Sequence, residues 1–494
     1  MYSMQTAKKG IVLGVYNDKF EENKTLTLTP TSEKFNEQSQ GKLLSHLKFI
    51  ESEIKPGKSF VFWGLHDEYH AVAVTGLGEK NKQIDPLELV DPKKETIRQA
   101  AAAGCNALKS VGIKNVEVES LEDAEAAAEG SLLGTWKFQE YKTKKDELCN
   151  VKLFSNDELD LDKWKRGIVK ANAQNLARKL ADTPSNLMTP TIFCDQIKEV
   201  LNSPDILIDV HDECWAKQEG MEAFLAVAKG SVEAPKFLEL TYSKGGNDAP
   251  YVLIGKGVTF DAGGISLKPS ASMDHMRADM GGAASVAATL YAVDKLKIPV
   301  NLKILIPLVE NLPSGNALKP GDVIKAKNGK SICVNNTDAE GRLILADALC
   351  YSAKFSPKWV LDIATLTGAM AVAIGSAATG VFTNSDNLYR ILQEVSLNTG
   401  DRVWRFPLWK HYYNQITKNN AYDLNNIGPS RTGGSCTAAA FLWEFVPEKT
   451  EWLHLDMAGV MGPQSDASMP YLGSGMTGRP TRTLIEFIEA QLKC

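Results

Sequence analysis

Paired cysteines are missing from this sequence. Its eight cysteines stand at positions 105, 149, 194, 214, 333, 350, 436 and 494, with no C-x-x-C spacing among them. That excludes a zinc knuckle and points to reduced thiols in a cytosol rather than to a disulfide framework. Histidine is also sparse, with seven dispersed over 494 residues, so a histidine-rich zinc site is excluded and any metal must rely on oxygen ligands. No apolar run approaches the ~20 residues of a membrane span. No block of lysine and arginine advertises nucleic acid or an anionic membrane surface. The first residues, MYSMQTAKKGIVLGVY, lack the basic and then apolar pattern of a secretory signal. With a formal net charge of -5, the expectation is a soluble cytoplasmic protein with no membrane partner and no nucleic acid.

What is present is length, apolar content and alternation. A chain of 494 residues that is 44% hydrophobic can bury more than one core. GIVLGVY (10–16), SFVFWGL (59–65) and HAVAVTGL (70–77) read as strands, and TIRQAAAAGCNALKSVG (96–112) as an alanine-rich helix closed by Gly112. The strand NVEVESL and the helix DAEAAAEGSLLGTWKF complete a first α/β domain, residues 1–160. A long helical pattern follows, with residues 161–185 as the connector, and it stops at the prolines of ADTPSNLMTP. In 186–494 helices and strands again alternate: TIFCDQIKEVL, ILIDVHD, MEAFLAVAKGS, KFLELTYS, YVLIGKG, MGGAASVAATLYAVDKL, VNLKILIPLV, RLILADALCYSAK and KWVLDIA. Such alternation predicts a larger C-terminal α/β domain with a mostly parallel central sheet, whose ligands gather beyond the carboxyl ends of the strands. Beyond residue 400, the aromatic and glycine-rich stretches GDRVWRFPLW, NNIGPSRTGGSCTAAAFLWEFV and WLHLDMAGVMG predict loops over a pocket.

Residues 251–345 concentrate the chemistry. Asp261, Asp279, Asp338 and Glu340 fall in three short bursts, together with Lys256, Lys268 and Arg342. Carboxylates gathered in one pocket repel one another and are expensive to bury unpaired, so such a cluster calls for cations. In extended backbone Asp338 and Glu340 would share a face and reach one ion or bridge two. Divalent metals beside a lysine and an arginine suit the hydrolysis of an amide or ester.

Each residue has a plainer reading by itself. Asp261 and Asp338 are acceptable as turn residues, Asp279 as a helix N-terminal charge, Glu340 as a first-turn charge before RLILADAL, and Lys268 and Arg342 as exposed ion-pair partners. GKGVTFDAGG follows a strand, but it lacks the spacing of a phosphate-binding P-loop. Their grouping on three segments favours a site with two metals.

The motifs NTDAEGRL (336–343), GKGVTFDAGGISLKP (255–269), MRADMGGA (276–283) and TLTGAM (365–370) resemble the leucyl aminopeptidase, or cytosol aminopeptidase, family of metallopeptidases. The resemblance runs from about residue 175 to the C-terminus, so 186–494 becomes the expected catalytic domain. It implies two divalent metals per subunit, with zinc the default and manganese, magnesium or cobalt acceptable. One ion would be held by Asp261, Asp338 and Glu340, and the other by Lys256, Asp261, Asp279 and Glu340. Lysine as a ligand demands a neutral amine, which adjacent dications would enforce. The resemblance also implies that Lys268 stabilises the oxyanion and that Arg342 positions a bicarbonate ion acting as general base. Met276, Asn336, Thr365, Leu366, Gly368, Ala458 and Met461 match positions lining the family's substrate pocket, which suits peptides with a free, leucine-like N-terminus. Family members are similar in forming homohexamers. Ala262 and Asn335 depart from the family's usual residues and bear on metal affinity.

Two rivals are a catalytically silent DNA-binding or architectural protein on the same fold and a phosphoesterase with two metals. The intact acids, Lys268 and Arg342, and the acidic balance of the chain, argue against the first.

Overall fold

Apolar strands alternating with helices need cover on both faces, and this chain meets that need twice. A computed structural model describes residues 8–20, 23–463 and 469–493. The chain divides into one unit of Met1–Asn175, Leu397–Gly400 and Ala467–Gly473 and a second of Leu176–Ser396, Asp401–Asp466 and Ser474–Cys494. The dividing point falls inside the helix Glu158–Asp182.

In the first unit the strand Lys9–Phe20 is central. It runs parallel to Ala71–Gly78 on one side and to Asn115–Val118 on the other, and its far half pairs antiparallel with Asn23–Leu28. Ser59–Phe62 and Asn150–Leu153 complete the sheet. The helix Pro92–Ser110 starts on Asp91, whose side chain accepts from the amides of Lys93 and Lys94. It lies so close to the sheet that a methyl at Gly104 would stand 2.4 Å from Val12 Cγ1. The opposite face is covered by two short helices, Pro30–Gln38 and Lys42–Phe49, which the sequence does not suggest. The reason is length and polarity: the first buries only Ser32 and Phe35, too few apolar positions to mark a period.

In the second unit a mixed sheet, among the described residues, runs in the order Val403–Arg405, Thr379–Thr383, Glu451–Asp456, Trp359–Ala364, Tyr251–Gly255, Asn301–Asn311, Lys236–Ser243, Ile206–His211. Gly257–Asp261 pairs parallel with the far end of Asn301–Asn311. The central strands are parallel, as the alternation predicts, and antiparallel strands are added at both sides. Helix Gly281–Lys295 covers one face through small residues: a methyl at Gly282 would meet the Ile363 carbonyl oxygen at 2.1 Å. Helix Gly341–Ser352 packs Leu343 and Ile344 with Val252, Ile254 and Leu305 on the other face.

Two stretches expected as loops are regular. GGSCTAAAFLWEFV contains the helix Gly434–Trp443, and WLHLDMAG supplies the interior strand Glu451–Asp456. His454 and Asp456 disguise that strand, because both are fully or almost fully buried. Histidine is accommodated by pairing: Asp362, directly across on Trp359–Ala364, lies 2.6 Å from His454 Nδ1 and accepts from Trp452 Nε1 at 2.7 Å. Among the described residues no helix is long and apolar enough to cross a membrane.

Glu119 generates a prediction in the first unit. Its buried carboxylate accepts from the Gly14 amide, from Thr29 Oγ1 at 2.8 Å and from Ser32 Oγ at 3.4 Å. Burial pushes its carboxyl up to about 7 against the pull of those donors. A folded-state pKa above the unfolded one adds stability at low pH, which is lost as pH rises from about 4.5 through 7. Glu119→Gln is therefore expected to gain on the unmodified protein by about 3 kcal/mol on going from pH 4 to pH 8. Denaturant titrations of both proteins at the two pH values check this, and a difference independent of pH would refute it.

Candidate metal centre

The site forms where the parallel strands end. Lys256 follows Tyr251–Gly255 directly; its amide donates to the Ile363 carbonyl at 3.0 Å and its carbonyl accepts from Ala283 at 2.9 Å. Backbone bonds on both sides thus aim a lysine that is only 3% exposed. Its ammonium lies 2.7 Å from Asp279 Oδ2 and 2.9 Å from Glu340 Oε1, and donates to the Thr365 carbonyl at 3.1 Å. Gly341 leaves room for it, since a methyl there would come 2.6 Å from Lys256 Cε.

Asp261 ends its strand and accepts from the Gly263 amide at 2.9 Å and from Asn311 Nδ2 at 2.8 Å through Oδ1. Its other oxygen lies 2.7 Å from Lys268 Nζ, which stands 2.5 Å from Asp338 Oδ1. Gly263, at φ 88°, makes the turn that brings Lys268 back over Asp261. Thr337 fastens the two loops together: its hydroxyl donates to the Gly263 carbonyl at 2.7 Å and accepts from Ser266 N at 2.8 Å.

Of the two readings of Asp338 and Glu340, extended backbone is corrected here, and a turn residue followed by a first-turn helical charge holds. Asp338 sits in a turn, its amide held by Asn336 Oδ1 at 2.9 Å. Glu340 is helical, with φ -79° and ψ -34°, and caps Gly341–Ser352. The shared face arises because the turn and the helix start fold both side chains inward, so one oxygen each from Asp261, Asp338 and Glu340 lie within 4.8 Å of one another. Asp279 comes two residues before Gly281–Lys295, and Thr365 Oγ1 donates to it at 2.7 Å.

Charge is out of balance in this cluster. Four carboxylates face two ammonium groups, which leaves two negative charges unmatched among these side chains. Burial works against the Lys256 charge, but Asp279, Glu340 and Asp261 together outweigh it and hold the group above its ordinary value. Lys268 is held up likewise by Asp261, Glu340 and Asp279. Burial raises the carboxyls of Asp261, Asp279 and Asp338, reinforced by their neighbouring acids. Asp279 Oδ2, Asp338 Oδ1 and Glu340 Oε1 touch lysine charges without the angles of a hydrogen bond. Buried oxygens converging from two segments, answered only by lysine charges, fit a divalent cation, and a set of carboxylate oxygens with one amine is within the range of zinc, manganese, magnesium or cobalt.

Arg342 donates to the Asn426 carbonyl at 2.6 Å, and its Nε has no hydrogen-bond partner among the described residues; burial brings its guanidinium down to about 10. Of the expected pocket residues, Thr365 touches Lys256 and Asp279, and Asn336 holds the Asp338 amide. Leu366 and Ala458 both donate their amides to Asp456 Oδ1 at 3.2 Å, and Gly368 opens the helix Gly368–Ile374. Met276 lies in the short 3-10 helix Met273–Ala278 before Asp279, and Met461 is buried against Gly281.

Comparison with known proteins adds the family. The profile of the cytosol aminopeptidase family catalytic domain matches residues 175–485, and that of its N-terminal domain matches residues 12–145. The chain belongs to the cytosol aminopeptidase family. It is 51% identical to Cytosol aminopeptidase of Sus scrofa over 97% of this chain and 92% of that protein. With Cytosol aminopeptidase of Homo sapiens the identity is 50% over 98% and 94%. The solved structure of Bottromycin maturation enzyme BotP in complex with Mn is similar at TM-score 0.81 and 31% identity, covering 98% of this chain and 99% of that one. The enzyme is thus an aminopeptidase.

Residues that carry no charge complete the aminopeptidase site, and the sequence motifs do not single them out. Asn311 bridges Asp261 to the Thr337 carbonyl, at 3.0 Å from the latter. Asn426, fully buried, accepts from the amides of Asn335 and Asn336 at 2.8 and 3.2 Å and donates to the carbonyls of Asn336 and Ala339 at 2.6 and 3.4 Å. One side chain therefore satisfies the backbone of the loop bearing Asp338 and Glu340. Ala262, one of the two departures, makes backbone bonds to Asn311 and Lys268.

Asn426→Ala should destabilise the protein by about 3 kcal/mol, since it strands several buried backbone groups at ~1–3 kcal/mol each. Asn335→Ala, which removes only an exposed side chain 3.8 Å from Cys333 Sγ, should cost less than about 0.5 kcal/mol. Denaturant midpoints compare the two, and equal shifts would dismiss the loop-clamping role.

Proposed function

We propose that this aminopeptidase releases N-terminal leucine and other apolar residues from peptides by a mechanism using two divalent metals. The observation that carries this reading is the convergence of Asp261, Asp338 and Glu340 within 4.8 Å, beside a Lys256 that bridges Asp279 and Glu340. Asp261, Asp338 and Glu340 would hold one ion; Lys256, Asp261, Asp279 and Glu340 would hold the second, Lys256 as a neutral amine. When bound, two such ions supply Lewis-acid polarisation of the scissile carbonyl and activation of water. Zinc is the first choice, with manganese, magnesium or cobalt as alternatives.

The chain's own groups do the rest. Lys268, 21% exposed at its side chain and paired with a buried Asp261 and a 32% exposed Asp338, has its cation at the open side of the cluster, where it would stabilise the developing oxyanion. Arg342 would orient bicarbonate, the general base in this reading, because its buried Nε has a free donor. Leu366, Gly368, Ala458, Met276 and Met461, with Thr365 and Asn336, would line an apolar pocket for the first side chain. An apolar pocket separates similar side chains by only ~10–200-fold, so broad preference is expected. A homohexamer in the cytoplasm is proposed with it, in keeping with the scattered reduced thiols and the name of the relatives. Nothing favours a membrane or nucleic-acid partner.

Hydrolysis of leucine p-nitroanilide should be abolished by a chelator and restored by added divalent metal, while phenyl phosphate should not be cleaved. Asp338→Ala should lose bound metal by elemental analysis. Lys268→Ala should keep its metal and lose turnover by about 10²–10³-fold. Undiminished cleavage of leucine substrates by metal-stripped protein would end the proposal.

A further inference from the structure

Asp456 is the last residue of an interior strand and is 1% exposed. Its carboxylate is spent on two segments at once. Oδ1 accepts from the amides of Leu366 at 3.2 Å, Thr367 at 3.4 Å and Ala458 at 3.2 Å, while Oδ2 accepts from Thr367 Oγ1 at 2.6 Å. Thr367 also caps Gly368–Ile374 by accepting from Met370 N at 3.1 Å, and its hydroxyl meets Ser435 Oγ at 2.9 Å. The turn 365–368 is therefore held from two sides: by Lys256 and Asp279 at Thr365, and by Asp456 at Leu366 and Thr367.

We infer that Asp456 is a positioning residue for substrate selection, fixing the turn 365–368 against Ala458 and so setting the shape of the pocket that receives the N-terminal side chain. The inference rests on the proposed reading of that pocket. Asp456 touches neither the acidic cluster nor its lysines; it acts on the backbone that presents Leu366, Gly368 and Ala458. Loss of the carboxylate would relax this wall of the pocket and leave the cation ligands in place. Its charge suits the task, because a carboxylate accepts four donors through two oxygens, which a neutral hydroxyl cannot do.

The test is steady-state kinetics of the intact, metal-loaded enzyme on leucine and alanine p-nitroanilides, with metal content measured alongside. Asp456→Ala is expected to retain its metal, to raise KM for the leucine substrate and to narrow the leucine-to-alanine ratio of kcat/KM by about tenfold, within the range an apolar pocket can discriminate. Asp456→Asn, whose carbonyl still accepts the three amides, should recover most of the ratio. Thr367→Val, which removes only the hydroxyl contacts, should narrow it by about threefold and carries the test if Asp456→Ala does not fold. An unchanged ratio in Asp456→Ala, or in Thr367→Val where that variant alone is soluble, overturns the inference, as does a fall in kcat alone with parallel loss of metal. Unmodified enzyme that does not cleave leucine anilide overturns instead the reading of the site on which the inference rests.

Discussion

Four carboxylates drawn into one buried space is the constraint from which the second unit takes its form. Left alone, Asp261, Asp279, Asp338 and Glu340 would repel one another and pull water into the sheet edge. Two lysines answer part of that charge, each spanning two acids: Lys256 between Asp279 and Glu340, Lys268 between Asp261 and Asp338. Neither lysine can be exchanged for the other. Lys256 is enclosed and fixed by backbone bonds on both sides, whereas Lys268 reaches in from a glycine turn and keeps an exposed flank. An interior cation with rigid support is placed to share ligands, and a cation at the rim is placed to meet substrate.

Holding like charges at fixed separations requires a scaffold that cannot give, and the packing supplies it. Helix Gly281–Lys295 presents glycine and alanine to the strands, so backbone meets backbone where Gly282 faces the Ile363 carbonyl. The strand carrying Lys256 approaches just as closely, since a methyl at Gly255 would stand 2.7 Å from the Ala283 Cα and the Gly282 carbonyl oxygen. On the opposite face Gly341–Ser352 packs its leucines into the core one turn after Glu340. The acids are thereby mounted on the ends of elements whose cores are close-packed, and a shift of one would cost contacts along a whole helix.

The acids and lysines that the structure gathers stand out in the sequence as short bursts of charge between apolar segments, most of them within two residues of a glycine, and strand–helix alternation placed most of them near strand ends. Two kinds of feature were not legible. One is local conformation: Asp338 and Glu340 do converge, but through a turn and a helix start rather than along a strand, since the Asn336 side chain claims the Asp338 amide. Residue spacing alone cannot distinguish two routes to the same meeting point. The other is regular structure whose pattern is broken by satisfied polar groups. Glu451–Asp456 carries His454 and Asp456 inside the sheet, and only the neighbouring strand, with Asp362, and the turn after it reveal why they are tolerated. The short helices 30–38 and 42–49 were missed for other reasons: the first has too few apolar residues to register, and the second, at eight residues, is too short to show a period.

Asn311, Asn426, Thr337 and Asp456 share a role that follows from the same electrostatics. A loop delivering carboxylates into a low-dielectric pocket leaves its own amides and carbonyls short of water, and each of these must be paired within the protein. A charged side chain used for that purpose beside the acids would add to the imbalance or cancel the cation it should leave free. Asparagine and threonine can donate and accept without charge, so they appear next to Asp261 and Asp338. Asp456 is the exception, and its partners explain it: its bonds go to the turn 365–368 and to Ala458, with burial, His454 and the Arg342 charge around it. The division of labour therefore follows the segment served, with neutral amides supporting the loops that carry the acids and one carboxylate supporting the turn 365–368 beside them.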